Sequence, residues 1–363
     1  MKQRILVLAK KKKFSIPASI LLIFFCWFGW SVGSVLTAPG TDTISARLAE
    51  WGRDHYLGRV ITFAEIVQYK LHPPKQGGVP DPNQLNNLKD NAGLNGQAIA
   101  PIVLPALQGE GEFKTVVSQG IKPIIQVAYL RPDKVHTSFL SGVALMSGND
   151  LKFVLHPGFA EPGKLENYVT QDLITKANRS GLVATFNSGF KLKDSHGGYY
   201  SEGITARPLA KDAASFVIYS DGHANIGSWG SEVSMTPDVV SVRQNLVLLV
   251  DQGVMSPAIN KNFLINWGFT IKNAYYVWRS GVGITATGDY VYVAGDALSV
   301  ESLANLLQKA GAVRAMELDI NPYWVSYMWY SHMGEPTKLV NFKRPANRFF
   351  LPSSRDFFAI YSR

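Results

Sequence analysis

The stretch Gly181-Leu-Val-Ala-Thr-Phe-Asn-Ser-Gly-Phe190 decides how this chain is read. It begins as the apolar, β-branched run of a buried strand and ends on Asn187, Ser188 and Gly189, which a hydrophobic core would exclude. A polar side chain at the mouth of such a strand must find hydrogen-bond partners or serve a ligand.

Working outward, similar strand-like runs recur at Pro123–Arg131, Lys152–Ala160, Gln244–Asp251, Ala274–Thr285, Asp289–Gly295 and Val313–Ile320. Ala214–Gly227 reads as a hairpin turning at Ser220-Asp221-Gly222. Leu165–Ser180 reads as a helix leading into the opening strand. A second helix is expected at Ser299–Gly311, with a serine N-cap, apolar Val300, Leu303, Leu306 and Leu307 on one face, and a terminating glycine. Strands and helices without strict alternation predict an α+β fold, a mixed β-sheet core with flanking helices, over residues 98–363.

The N-terminal part is different. Residues 1–13 form a basic tail, and the charge-free run Phe14–Thr41 exceeds the ~20 residues a helix needs to cross a bilayer. Residues 14–38 are therefore expected to be a transmembrane anchor, with a cleaved signal peptide as the competing reading. The flanking cations place the tail in the cytoplasm and the globular domain outside the cell membrane. Residues 43–72 carry apolar residues at helical intervals and read as membrane-proximal helices. Residues 73–97, rich in Pro, Gly and Asn, read as a linker.

Composition excludes several functions. The chain has 46% apolar residues and a net charge of +9, but six of those charges lie in the first thirteen residues. The remainder shows no polyanion groove and no nucleic-acid-binding motif, so no nucleic acid partner is expected. The single cysteine, Cys26, lies in the apolar run, so intramolecular disulfides and thiolate metal sites are excluded.

Three polar clusters could carry chemistry. In the first, Asn187 and Gly189 are followed by Lys191, His196 and Glu202, with glycines that permit a loop to wrap a ligand; a simple Asx-type turn is the alternative. In the second, Arg279 interrupts apolar Val277-Trp-Arg-Ser-Gly-Val-Gly-Ile. Its guanidinium suits phosphate or carboxylate, and an ion pair with Glu317 or Asp319 is the alternative. In the third, Glu317 and Asp319 stand two apart on a strand, about 6.5–7 Å between backbone positions. Two such carboxylates can cleave a glycosidic bond, hold a divalent cation such as Ca2+ together with Asn321, or simply decorate an exposed strand face. Trp324, among neighbouring aromatics, either packs in the core or offers a platform for sugar.

Taken in order, Asn187-Ser-Gly-Phe190, Arg279-Ser-Gly-Val-Gly283, the helix segment Ala304–Val313 and Glu317-Leu-Asp-Ile-Asn321 resemble the phosphodiester glycosidase family across about residues 110–335. The family usually continues its Leu-Asp with glycines and serines; here Ile320-Asn-Pro-Tyr-Trp324 follows, which marks a divergent member with a differently shaped pocket. The resemblance implies a membrane-anchored extracytoplasmic hydrolase acting on a sugar-1-phosphodiester bond of an envelope or exported glycan. Arg279 would hold phosphate, Glu317 and Asp319 would supply acid and base or bind a cation, and Asn187 and Asn321 would position sugar hydroxyls or that cation. A non-catalytic glycan-binding or envelope polysaccharide assembly protein on the same fold, and glycan transfer in place of hydrolysis, stay open.

Overall fold

The structure, a computed structural model, describes residues 2–363 apart from 59, 62, 64–66, 68–70, 85–97, 261–266, 268–275 and 332–333, with side chains from residue 18 onward. Contacts divide the chain into two units, Met1–His72 and Pro73–Arg363.

In the first unit a helix runs from Lys2 to Leu36, and its Ala18–Leu36 segment is long and apolar enough to cross a membrane. Ile20, Leu21, Leu22, Ile23 and Phe25 of this segment are all more than half exposed. A second helix, Ile44–Asp54, starts at Thr43, whose hydroxyl accepts from the Ala46 N–H at 3.2 Å. Arg47 on this helix donates to the carbonyls of Val35, Leu36, Ala38 and Gly40, satisfying acceptors that the end of the first helix leaves open. Several residues of the expected helical segment 43–72, and residues 85–97 of the expected linker, lie outside the described residues.

The second unit is built from three sheets. The largest has eight strands in the order Lys114–Gln119, Lys122–Leu130, Ser141–Met146, Tyr290–Leu298, Val277–Thr285, Ala312–Glu317, Leu248–Asp251 and Val254–Met255. The second orders Ile204–Arg207, Tyr199–Ser201, Val239–Gln244, Ala214–Tyr219 and Ala224–Ser228. The third orders Pro336–Lys338, Tyr327–Tyr330, Leu182–Asn187, Phe357–Ser362 and Leu151–His156. A sheet-dominated α+β unit with few helices is thus what forms. Every ladder among the described strands is antiparallel, and parallel pairing is confined to isolated bridges such as Gly158 with Pro162.

Alternation along the strands explains the layering. Tyr290, Tyr292 and Ala294 point into one core, which they share with Phe153, Phe186, Phe216 and Phe358 from the other two sheets. Val291 and Val293 point the opposite way, onto Leu303, Leu306 and Leu307 of the helix Val300–Lys309. That helix has the expected ends: the Ser299 hydroxyl accepts from the Ser302 N–H at 3.0 Å, and Gly311 follows in the left-handed region at φ 95°. The helix lies so close to the sheet that a Cβ on Gly281 would come within 2.9 Å of Leu307 Cδ1, while one on Gly283 would come within 2.6 Å of Ala312 Cβ on the neighbouring strand. Gly281 therefore makes room for the helix, and Gly283 for the strand beside it.

Three sequence expectations change. The helix over Leu165–Ser180 does not form; only the 3-10 turns Leu165–Asn167 and Lys176–Arg179 do. The segment is rich in β-branched residues, and its N–H groups find tertiary acceptors instead: Val169 and Thr170 donate to the Glu202 carboxylate at 2.6 and 3.1 Å, and Ile174 to the Phe349 carbonyl at 2.8 Å. The strand expected at Gln244–Asp251 is divided between two sheets, with Asn245–Val247 crossing between them and Leu246 left-handed at φ 55°. The last strong strand stops at Glu317, so Asp319 lies just past its end.

One buried titratable group ties this fold to pH. The His156 ring stacks on Phe357 with centroids 4.6 Å apart, and its Nδ1 donates to the Gln171 carbonyl at 2.8 Å. Burial lowers the imidazole from its ordinary value near 6.5 to about 4. The unfolded chain therefore takes up a proton that the folded chain refuses, and stability present above pH 6.5 is lost as pH falls toward 4, by up to ~3 kcal/mol. Thermal unfolding followed from pH 7.5 to 4.5 should fall less steeply in His156→Gln than in the parent chain.

Candidate functional site

Strand ends from two sheets meet around Asn187. Its carboxamide oxygen accepts from the Tyr292 hydroxyl at 2.8 Å and the Ser326 N–H at 3.0 Å. Its nitrogen donates to the Ser188 carbonyl at 2.8 Å and the Ser280 hydroxyl at 3.0 Å. Ser280 and Tyr292 belong to the large sheet and Asn187 to the third, so one side chain, 4% exposed, joins the two. Ser280 continues the chain of bonds: its N–H donates to the Asp319 carbonyl at 2.9 Å, and its hydroxyl accepts from the Asp319 N–H at 3.2 Å.

Arg279 and Glu317 lie on neighbouring strands in a register that opposes Gly281 to Glu317. Both are fully buried, and Arg279 donates to Glu317 Oε1 at 2.5 Å and to the Leu298 carbonyl at 3.0 Å. The ion pair weighed as the alternative for Arg279 is thus present. Glu317 Oε2 is buried and accepts no hydrogen bond. Burial pushes the Glu317 carboxyl upward; Arg279 pulls it back down, and the Asp319 charge adds to the rise. Asp319 is 3% exposed, so neither carboxylate decorates an open strand face. Its Oδ2 lies 3.1 Å from Arg355 Nη2, and its Oδ1 accepts from the Asn321 N–H at 2.8 Å.

The other expected site residues divide. Gly189 is at the cluster, where its carbonyl accepts from Arg355 at 2.6 Å. A Cβ there would sit 2.7 Å from Asn245 Cγ, so glycine makes space for Asn245, whose amide nitrogen donates to the Glu317 and Leu318 carbonyls at 2.9 Å each. Asn321 closes a turn by accepting from the Tyr323 N–H at 2.9 Å. Trp324 is buried beside Arg344, Arg348 and Arg355. Lys191 is half-buried and carries a turn whose N–H donors are Asp194 and Ser195. His196 and Glu202 stand apart from this cluster. His196 is exposed on a left-handed turn residue at φ 53°, and Glu202 is exposed, with its carboxylate bound to the Val169–Thr170 backbone.

Sequence reasoning missed Ser280, Tyr292, Asn245 and the arginines at 344, 348 and 355. The spacing of arginines in Lys343-Arg-Pro-Ala-Asn-Arg and Ser354-Arg-Asp was the available signal for the last three. Among the described residues no three His, Cys, Asp or Glu side chains gather, and Glu317 and Asp319 each already face a guanidinium.

The fold and site define a sheet-built α+β protein with two buried carboxylates at converging strand ends. Residues 174–319 match the model of the phosphodiester glycosidase family. The match includes Asn187, Arg279, Glu317 and Asp319 and ends before Trp324 and the three arginines. None of the curated proteins matches the chain. Among solved structures, it is similar to the catalytic domain of zebrafish N-acetylglucosamine-1-phosphodiester alpha-N-acetylglucosaminidase auto-inhibited by pro-peptide, with 16% identity, a TM-score of 0.43, and 69% of this chain and 88% of that chain covered. It is also similar to a Synechocystis protein, with 12% identity, a TM-score of 0.36 and 65% and 64% covered, and to a Burkholderia pseudomallei protein, with 10%, 0.32, and 61% and 74% covered.

Replacing Asn187 with Ala strands the Tyr292 hydroxyl and the Ser326 N–H in the core, which should cost about 2–4 kcal/mol in denaturant unfolding. Gly189→Ala should also destabilise, by pushing Asn245 off the Glu317 and Leu318 carbonyls.

Proposed function

We propose that this chain is a membrane-anchored, extracytoplasmic hydrolase that cleaves a sugar-1-phosphodiester bond in an envelope or exported glycan. The observation that carries this reading is the pair Glu317 and Asp319, two residues apart and both buried at and just past the end of one strand, within the segment that matches the phosphodiester glycosidase family. Glycosidic cleavage needs one carboxyl group to protonate the leaving oxygen and another to act as base or nucleophile. Glu317, whose carboxyl burial pushes upward, is the better holder of a proton. Asp319, with a guanidinium on one oxygen and an N–H on the other, is stabilised as the anion. Asn187 and Ser280 act as positioning residues, because they fix the backbone on which Asp319 stands. Arg279 serves Glu317 directly. The apolar helix Ala18–Leu36 supports membrane anchoring through its length and composition.

One observation favours a second reading, a glycan-binding protein of the envelope without turnover. The Arg279–Glu317 pair is fully buried, so one of the two carboxylates is already committed to a structural partner.

The full chain in detergent should release free sugar from some member of a panel of sugar-1-phosphodiesters, including UDP-N-acetylglucosamine, with and without chelator, as followed by mass spectrometry. Asp319→Asn, shown to be folded by circular dichroism, should lower that turnover at least ~100-fold, the scale of general acid-base catalysis. Near-normal turnover in this variant would remove Asp319 from the mechanism, and saturable glycan binding without product across the panel would select the second reading.

A further inference from the structure

Glu317 and Asp319 occupy one end of the large sheet, and an open cleft of about 510 Å³ lies at the other. Along the strand Val277–Thr285, Arg279 stands near the first end and Thr285 at the second, roughly 20 Å apart at about 3.3 Å per residue. All three sheets contribute to this cleft. The large sheet brings Thr285 and Arg314, the hairpin of the second sheet brings Asp221, His223 and Asn225, and Arg363 follows the Phe357–Ser362 strand of the third. Buried Tyr290 fixes the second sheet against the first here, since its hydroxyl donates to the Ala224 carbonyl at 2.6 Å and accepts from the Ala224 N–H at 2.9 Å.

The two cations of the cleft are matched differently from those inside the fold. Arg131, Arg243 and Arg279 each meet a carboxylate at 2.5 to 2.7 Å. Arg314, half-buried, meets only an amide: it donates to Asn225 Oδ1 at 2.9 Å, and that oxygen also accepts from the Ile226 N–H at 2.9 Å. Most of the Arg314 fork therefore has no acceptor among the described residues. Arg363 donates from Nε to the Leu151 carbonyl at 2.9 Å, while its Nη2 lies 3.7 Å from Asp221 Oδ2, beyond hydrogen-bond range. Nearby carboxylates are engaged elsewhere. Asp221 Oδ1 accepts from the His223 N–H at 2.9 Å and meets the ring Nδ1 at 2.5 Å; Asp150 holds Lys122 at 2.7 Å and the Ser147 hydroxyl at 2.5 Å. Asp289 accepts from the Gly148 N–H at 3.0 Å and the Thr287 hydroxyl at 2.8 Å. The volume is that of a small-molecule pocket, but the side chains named are polar, which suits a hydroxyl-rich ligand. Guanidinium donors left over in such a place match the oxygens of a carboxylate or phosphoryl group.

We propose that this cleft is a second binding site, separate from the two buried carboxylates, which takes an acidic sugar unit. Arg314 and Arg363 hold its carboxylate or phosphoryl oxygens, and Asn225 and Thr285 face its hydroxyls. That the natural ligand is a unit of a glycan rests on the proposed function; recognition of a sugar oxyanion depends on neither Glu317 nor Asp319.

The test is calorimetry on the full chain in detergent, with glucuronate, glucose 6-phosphate and uncharged glucose as probes at matched ionic strength. At least one charged sugar should bind saturably, and glucose at least ~10-fold more weakly, the scale of losing a charge-assisted hydrogen bond. Tighter binding of glucuronate assigns the site to a carboxylate sugar, and tighter binding of glucose 6-phosphate to a phosphorylated one. Arg314→Gln and Arg363→Gln should each weaken the charged probe by ~10-fold or more on the same scale. Ala286→Glu sets a carboxylate on an exposed turn at the cleft and should also weaken it, so this variant decides should the arginine variants fail to fold. Asp319→Asn should leave the affinity unchanged. No saturable binding of either charged sugar, equal affinity for glucose, or unchanged affinity in the folded cleft variants overturns the proposal. Binding lost in Asp319→Asn and kept in the cleft variants overturns it as well, by placing the ligand at the carboxylates. Arg314-dependent binding without turnover of any sugar phosphodiester removes the hydrolase and leaves the cleft. Turnover by a chain that binds neither charged sugar removes the cleft and leaves the hydrolase.

Discussion

The carboxamide of Asn187 holds the site together. An amide offers two acceptor lone pairs and two donors, and here Tyr292, Ser326, Ser280 and the Ser188 carbonyl take them up from two different sheets. Antiparallel ladders fix strands within a sheet but say nothing about how one sheet is set against the next. Apolar contact between Phe186, Tyr292 and Tyr327 brings the layers together, with ring centroids 4.9 to 6.4 Å apart, yet such contact is non-directional. The asparagine adds the direction. Through Ser280 it also sets the height of Asp319, so the position of a candidate reacting group depends on a residue that is itself fully occupied by the fold.

The unit keeps several charges inside and manages them by pairing. Arg131 is held against Glu110 at 2.7 Å, Arg243 against Asp356 at 2.6 Å, and Arg279 against Glu317 at 2.5 Å. In each case the guanidinium also reaches a main-chain carbonyl, at Val103, Gln244 and Leu298 respectively. Pairing of this kind offsets much of the desolvation cost, and losing one partner is far more damaging than replacing both.

Much of the fold was legible because its signals are local. A strand-like run marked Asp289–Gly295 within what forms Tyr290–Leu298, the Ser-Asp-Gly turn marked the hairpin, and a serine cap with a closing glycine framed Val300–Lys309. Leu165–Ser180 was misread because its outcome depends on acceptors distant in sequence, Glu202 and the Phe349 carbonyl. The site was half legible for the same reason. Asn187, Arg279, Glu317 and Asp319 announced themselves as polar residues among apolar ones. Ser280 and Tyr292 look ordinary in a strand, and Arg344, Arg348 and Arg355 sit in a loop-rich tail where basic residues usually mean solvent.

Gly281 and Gly283 lead to one more conclusion. They stand in the motif by which the chain resembles the phosphodiester glycosidase family, yet the atoms nearest to each belong to the helix Val300–Lys309 or to the neighbouring strand. A signature of this kind records how closely two layers must stack. A resemblance carried by these two positions therefore speaks for the packing and not for the chemistry, since what they supply is the absence of a methyl group.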